Sequence, residues 1–415
     1  IKMPFIVDTS LGHEILHNWW GNSVFVDESQ GNWCEGLTAY MADYYYKELK
    51  DSASAEEYRR DICRKYTNYV TEENDLPLKR FVGRIDQSTQ AIGYGKTAMV
   101  FHMLRRMVGD DLFYQSLRRF YKDKIWQEAG WKDIRHIFED ISKMDLSWFF
   151  EQWINREGAP FIELGVTGME KVKDGWLTRV EIVQQGKPYR LSLPIQLELD
   201  DETIYTIAEV KELSSPISIQ TKSQPRHIAI DPQCDVFRRL HKEEIPPTID
   251  LVMGDDDKII VYPTGGGDAL QETYKKLAEL LAGGKDGVKA DTAVTEAELS
   301  QKSLFIMGGL TENKLTKMFV GNLSKDFSFE EGFFVANKVT FGNKGNAFLV
   351  TAKSVKNMKK GVVLFAGLSS DAIKSVGFKI PHYGKYSYLV FADGKNVDKG
   401  TFAVADSPMQ RSLTK

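Results

Sequence analysis

Residues 13–17 read His13-Glu14-Ile15-Leu16-His17, and residues 33–38 read Trp33-Cys34-Glu35-Gly36-Leu37-Thr38. On a helix, residues four apart share one face, so His13 and His17 present two imidazole nitrogens to a single ion while Glu14 flanks the same face. Zinc at a catalytic site takes three protein ligands and keeps one position for water, and Glu35, opening a second helical pattern, is the natural third ligand. Glu14 is then free to act as a base, and the set reads as a metal-dependent hydrolase arrangement. A His pair at this spacing also occurs as surface decoration or as a satisfied core pair. Context favours the metal: residues 11–16 are apolar apart from the motif, which predicts a buried helix, and Asn-Trp-Trp-Gly-Asn at 18–22 follows at once. Trp19, Trp20 and Asn22 are expected to pack around and support the ligands rather than react.

His-Glu-Ile-Leu-His-Asn-Trp-Trp-Gly-Asn at 13–22, Glu-Gly-Leu-Thr at 35–38 and Gly-Tyr-Gly-Lys-Thr-Ala-Met-Val-Phe at 93–101 together resemble the gluzincin zinc aminopeptidase family, which contains alanyl aminopeptidases and leukotriene hydrolase. The likeness runs from about residue 3 to 245, with its specific motifs in the first 155 residues. It implies one Zn2+ held by His13, His17 and Glu35, Glu14 as the catalytic base, and Tyr94 as the hydroxyl that steadies a tetrahedral intermediate. Two departures stand out. The loop at 25–32 is one residue shorter than the family pattern, leaving 17 residues between His17 and Glu35, a change an exposed loop absorbs easily. The Gly-x-Met-Glu-Asn segment that grips a substrate's free amino group in the family occurs nowhere in this sequence. The chain is therefore expected to be the later portion of a longer protein, binding zinc with weak or no aminopeptidase turnover by itself and leaving apolar groups near Phe5 and Ile6 exposed.

The chain has 415 residues, 42% hydrophobic and 27% charged, enough apolar content for two to four domains with real cores. A net charge of −4 supplies no broad basic field for nucleic acid. No run approaches the length of a membrane-spanning helix, and residues 1–7 lack the regions of a signal peptide. Cys34, Cys63 and Cys234 have no metal-type spacing and read as ordinary reduced cysteines.

A multidomain α+β organisation is expected, in three parts. Residues 1–156 read as a helical, thermolysin-like catalytic lobe, with helical spacing over 35–49, 55–70, 110–121, 131–141 and 146–153. A further helix after Pro77 carries Tyr94 near its start. Tyr44, Tyr45 and Tyr46 are expected in core and interface packing. After Gly158-Ala159-Pro160 the period becomes alternating, and short runs at 177–183, 191–199, 204–210, 217–219 and 227–230 predict a β-sandwich over 157–245. His227, in a strand, is assigned a structural role. Over 246–415 strands at 258–262, 304–307, 348–351, 362–366 and 388–391 alternate with helix, including one at 269–281, which predicts an α/β domain of unknown role. Residues 304–311 and 363–369 look alike, either a faint repeat or the usual strand-to-helix turn. Thr264-Gly265-Gly266-Gly267-Asp268 lacks the lysine and spacing of a phosphate loop and reads as a flexible turn, with Asp268 capping the following helix through an Asp-x-x-Gln box.

The expected activity is metal-assisted peptide hydrolysis on a peptide substrate, with aminopeptidase character in the intact protein. Two alternatives stay open: a zinc-binding but inactive scaffold whose α/β domain faces a protein partner, and another zinc hydrolase such as one that opens epoxides.

Overall fold

The computed structural model describes residues 10–354, 357, 360–402 and 407–414. Phe5 and Ile6 lie outside the described residues. The chain mixes helix and sheet and divides into two compact units, residues 1–241 with 406–415, and residues 242–405.

The first unit opens with helices. Ser10–Leu16 leads through a short parallel pairing of Phe25–Val26 with Glu128–Ala129 into a continuous helical rod over residues 34–50. Asp51, extended and accepting from the Ser54 amide at 2.6 Å, ends that rod and caps Ser52–Tyr69, satisfying a donor that the new helix would otherwise leave bare. A second rod runs over residues 87–108 and stops at Gly109, whose φ of 87° suits glycine. Asp110–Lys124, Trp131–Ser142 and Ser147–Ile154 complete the helical part. Trp33 is fully buried just ahead of the first rod, with its indole N–H donating to the Ala129 carbonyl at 2.7 Å. Truncating a side chain of that size in a closed core costs about 3–5 kcal/mol.

Two antiparallel sheets follow. Phe161–Val172, Gly175–Gln185 and Ser214–Thr221 make one, and Leu191–Leu199 sits between Thr203–Val210 and Pro225–Ile230 in the other. Leu191, Leu193, Ile195, Leu197 and Leu199 are buried in strict alternation, the period-2 pattern of a sheet with one face turned to a core. His227 lies in this sheet with Nδ1 3.9 Å from Glu198.

In the second unit a seven-stranded mixed sheet runs in the order Val288–Ala290, Ile259–Tyr262, Leu304–Met307, Gly361–Gly367, Asn346–Lys353, Tyr388–Ala392, Lys395–Gly400. Every residue of Gly361–Gly367 is buried, as expected where both faces of a strand are covered. Phe305, Met307, Leu349, Val363 and Phe365 pack on one face against helices Asp268–Ala282 and Ser370–Val376. Leu304, Ile306, Phe348, Val350 and Leu364 pack on the other against Phe327, Phe329 and Phe334. Those three phenylalanines belong to a small antiparallel sheet of Phe327–Glu330, Phe333–Ala336 and Val339–Phe341.

Several expectations need correction. Gln410–Ser412 pairs with Pro225–Ile230 of the first unit rather than with the sheet of the second, and the two compact units divide at 241/242, near the expected 245/246 boundary. Helix Ser10–Leu16 is not buried as a whole. Gly12 and His13 face inward, whereas Leu11 and Ile15 are 46% and 48% exposed. Trp19 is also exposed, while Trp20 is buried among Trp33, Phe120 and Tyr121. Of the three tyrosines only Tyr44 is buried; Tyr45 and Tyr46 are 38% and 39% exposed, Tyr46 with its ring against Gly12 of the first helix. Asp268 does not cap its helix. Gly266 and Gly267, with φ of 83° and 85°, complete the turn first, Gly267 takes the cap position, and Gln271 donates back to the Thr264 carbonyl.

Candidate metal centre

His13 and His17 leave helix Ser10–Leu16 and its following turn on the same side, with ring centroids 4.9 Å apart. Glu35 comes up from the first turn of the rod over 34–50, and its Oε2 lies 3.4 Å from His13 Nε2 and 3.5 Å from His17 Nε2. The three donor atoms all fall within 4.8 Å of one another, and among the described residues this is the group of His, Cys, Asp and Glu that could hold a metal ion.

Which imidazole nitrogen is available follows from the far side of each ring. His13 Nδ1 is 2.9 Å from Asp43 Oδ2, and His17 Nδ1 is 3.0 Å from the Trp20 carbonyl. Both partners only accept, so each Nδ1 carries a hydrogen, and Nε2, facing Glu35, is the nitrogen of each ring that loses its proton to take a metal. Cys34 Sγ sits 3.3 Å from the same His17 Nδ1 and donates to the Trp20 carbonyl at 3.0 Å. Two imidazole nitrogens and a carboxylate, each imidazole oriented from behind, are the donor set that suits catalytic zinc.

Charge in the metal-free site points the same way. Burial works against a proton on His13, but the Asp43 and Glu35 carboxylates outweigh it and raise the imidazole to about 9. His17 rises to about 11 through Cys34 and Glu35, against burial. Burial opposes the Glu35 charge too, yet His13, His17 and Tyr94 hold that carboxyl well below its ordinary range. The anion is thus already present, and two protons occupy positions that a cation would take.

One glycine allows the rods to meet: a Cβ on Gly36, beside Glu35, would fall inside the Thr97 side chain and 2.9 Å from the Gly93 carbonyl. A Cβ on Gly93, beside Tyr94, would strike the Phe81 ring instead. The Tyr94 hydroxyl lies near enough to Glu35 to help hold its carboxyl low, and the Tyr94 ring stacks at 6.2 Å on His13. Burial and then the Glu35 carboxylate push the phenol up, so it stays a neutral donor. Asp43 and Tyr94 both lie in π-helical turns, Ala39–Tyr44 and Ala91–Lys96, insertions that re-aim side chains at sites of this kind. Lys96, fully buried, anchors the Tyr94 turn by donating to the Arg156 and Gly158 carbonyls at 3.2 and 3.0 Å, and burial lowers its ammonium to about 8.

Glu14 is exposed next to His13 and makes no hydrogen bond or ion pair among the described residues. The site faces solvent, with 19% of the His17 side chain and 23% of the Glu35 side chain accessible. Asp43, Cys34 and Lys96 were not picked out from the sequence. A signal for Asp43 existed, since it lies eight residues after Glu35 and so on nearly the same helical face.

Residues 6–153 match the Peptidase family M1 domain. Aminopeptidase 2, mitochondrial, of Saccharomyces cerevisiae is 22% identical over 240 residues, covering 56% of this chain and 24% of that protein. Aminopeptidase N of Lactococcus lactis subsp. lactis is 25% identical over 169 residues, covering 38% of this chain and 19% of the relative. The structure of Legionella pneumophila aminopeptidase A in complex with aspartic acid aligns with a TM-score of 0.43 at 20% identity, covering 55% of this chain and 26% of that one. The chain spans about a quarter or less of the length of these relatives. No helix among the described residues is long and apolar enough to cross a membrane.

Proposed function

As a member of the peptidase M1 family through residues 6–153, this chain is, we propose, the zinc-dependent catalytic part of an aminopeptidase. The observation that carries the reading is the convergence of His13 Nε2, His17 Nε2 and Glu35 Oε2, with both imidazoles oriented from behind by acceptors. We read residues 1–156 as the thermolysin-like catalytic lobe, residues 157–245 as a β-sandwich scaffold to which Gln410–Ser412 adds a strand, and residues 246–405 as an α/β domain.

Zinc, held by His13, His17 and Glu35, would supply a Lewis acid that acidifies water and polarises a peptide carbonyl. Glu14, unpaired and beside the ligands, takes the proton of the attacking water and hands it to the leaving amine. Tyr94, held protonated, donates its hydroxyl to the oxygen that gains charge at the carbonyl carbon. Asp43 and the Trp20 carbonyl keep the imidazoles in the binding tautomer throughout.

The test compares the full translated product of the gene with its Glu14→Gln variant on alanyl and leucyl fluorogenic substrates and on an internally quenched peptide. Glu14→Gln should keep its zinc and lose about 10²–10⁴-fold in kcat. Equal turnover by the two proteins would overturn the assignment of Glu14. Cleavage of the internally quenched peptide alone would replace an aminopeptidase with an endopeptidase.

A further inference from the structure

Between the N-terminal end of helix Trp131–Ser142, helix Ser147–Ile154 and residues 29–30 lies a cavity of about 360 Å³. Its apolar floor is Trp131, Phe150 and Ile154, and its cationic side chains are Lys79, Lys132 and Arg135. Glu151 is the one carboxylate in the lining, and Asn155 Nδ2 donates to it at 2.5 Å. Lys79 and Lys132 are exposed and make no ion pair among the described residues. The other polar lining groups are already committed: Gln30 donates to Asp27 at 2.6 Å and accepts from the Lys132 amide at 3.1 Å, and Ser29 donates to Asp27 at 2.6 Å.

Arg135 Nε lies 3.6 Å from Glu139, and the lysine pair takes no part in the metal centre. The cavity therefore combines excess positive charge with an aromatic floor, and it is larger than an inorganic anion needs.

We propose that this cavity binds a small organic anion, a phosphate or carboxylate head carried on an apolar or aromatic body. The body lies on Trp131, Phe150 and Ile154. The head meets Lys79, Lys132 and Arg135.

The experiment is isothermal titration of the whole chain with phenyl phosphate, phenylacetate, inorganic phosphate and benzylamine, with and without the neutral chelator 1,10-phenanthroline. At least one aromatic anion should bind saturably, equally with and without chelator and more tightly than inorganic phosphate, while benzylamine should not bind. Preference between the two aromatic anions identifies the head group. Lys79→Gln with Lys132→Gln should weaken binding about five- to tenfold, since each exposed charge contributes modestly. Lys275→Gln with Lys276→Gln, exposed on a helix of the other unit, should leave it unchanged. No saturable binding of either aromatic anion in the millimolar range, equal loss in the two double variants, or binding abolished by the chelator would overturn the proposal.

Discussion

Replacing Asp43 by alanine removes the carboxylate 2.9 Å behind His13 while leaving all three candidate ligands in place. An outer partner of this kind typically contributes 10–100-fold to metal affinity, about 1.4–2.7 kcal/mol. The structure sets where in that range the loss falls. Asp43 steadies a zinc-bound imidazole, but it also steadies the proton that zinc must displace, being the largest cause that raises His13 to about 9. At pH 7 the two effects oppose each other, and the penalty should sit near the bottom of the range, about 10-fold. Near pH 9 the proton is leaving anyway, so the penalty should widen toward about 100-fold. Asp43→Asn keeps an acceptor and loses the charge, and should fall between wild type and Asp43→Ala. The assay is zinc competition against a fluorescent chelator at several pH values, with melting curves of the metal-free proteins to show that the fold survives. A penalty below about threefold at pH 9, or one that narrows as pH rises, would refute the reasoning.

Three further outcomes follow from the same geometry. Because His13 and His17 are raised to about 9 and 11, both carry protons at pH 7 without metal, so zinc binding should release about two protons and tighten about 100-fold per pH unit between 6 and 8; calorimetry in buffers of different ionisation enthalpy reads the proton count, and a pH-independent affinity contradicts it. The stability of the metal-free chain carries the opposite sign: raised imidazoles stabilise the fold fully below about 6.5, and that contribution should be lost as pH climbs through 9 and 11, lowering Tm. Tyr94→Phe should cut kcat by about 10²–10³-fold with a smaller change in KM; near-neutral kinetics would return Tyr94 to a packing role.

The candidate ligand cluster was legible because its geometry is local: His13 and His17 are one helical turn apart, and no tertiary fact is needed to put them on one face. Glu35 required only a second helix start. Tyr94 came from resemblance, since nothing in its own spacing shows that Gly36 brings two rods close enough to set its ring against His13. Lys96 and Cys34 depend on contacts that the order of residues does not reveal. Helix Ser10–Leu16 shows the limit of apolar content as a guide to burial: Leu11 and Ile15 match a core pattern yet remain half exposed. Strands of the second unit such as Ile259–Tyr262 and Leu304–Met307 were readable from their unbroken apolar runs, whereas Phe327–Glu330 and Val339–Phe341 mix polar residues into three or four positions, too few for period 2 to stand out. Gln410–Ser412 joins a strand some 180 positions earlier, Gln410 opposite Ala229, and a pairing of that range leaves no local mark.

The central claim is that His13, His17 and Glu35 together hold zinc, and elemental analysis of the purified chain tests it most directly. The account predicts one zinc per chain in the wild type and in Glu14→Gln, and loss of that zinc in His17→Ala and in Glu35→Ala. Wild-type chain that takes up no zinc from a zinc-containing buffer, or equal zinc retained when His17 and Glu35 are both replaced, would contradict it.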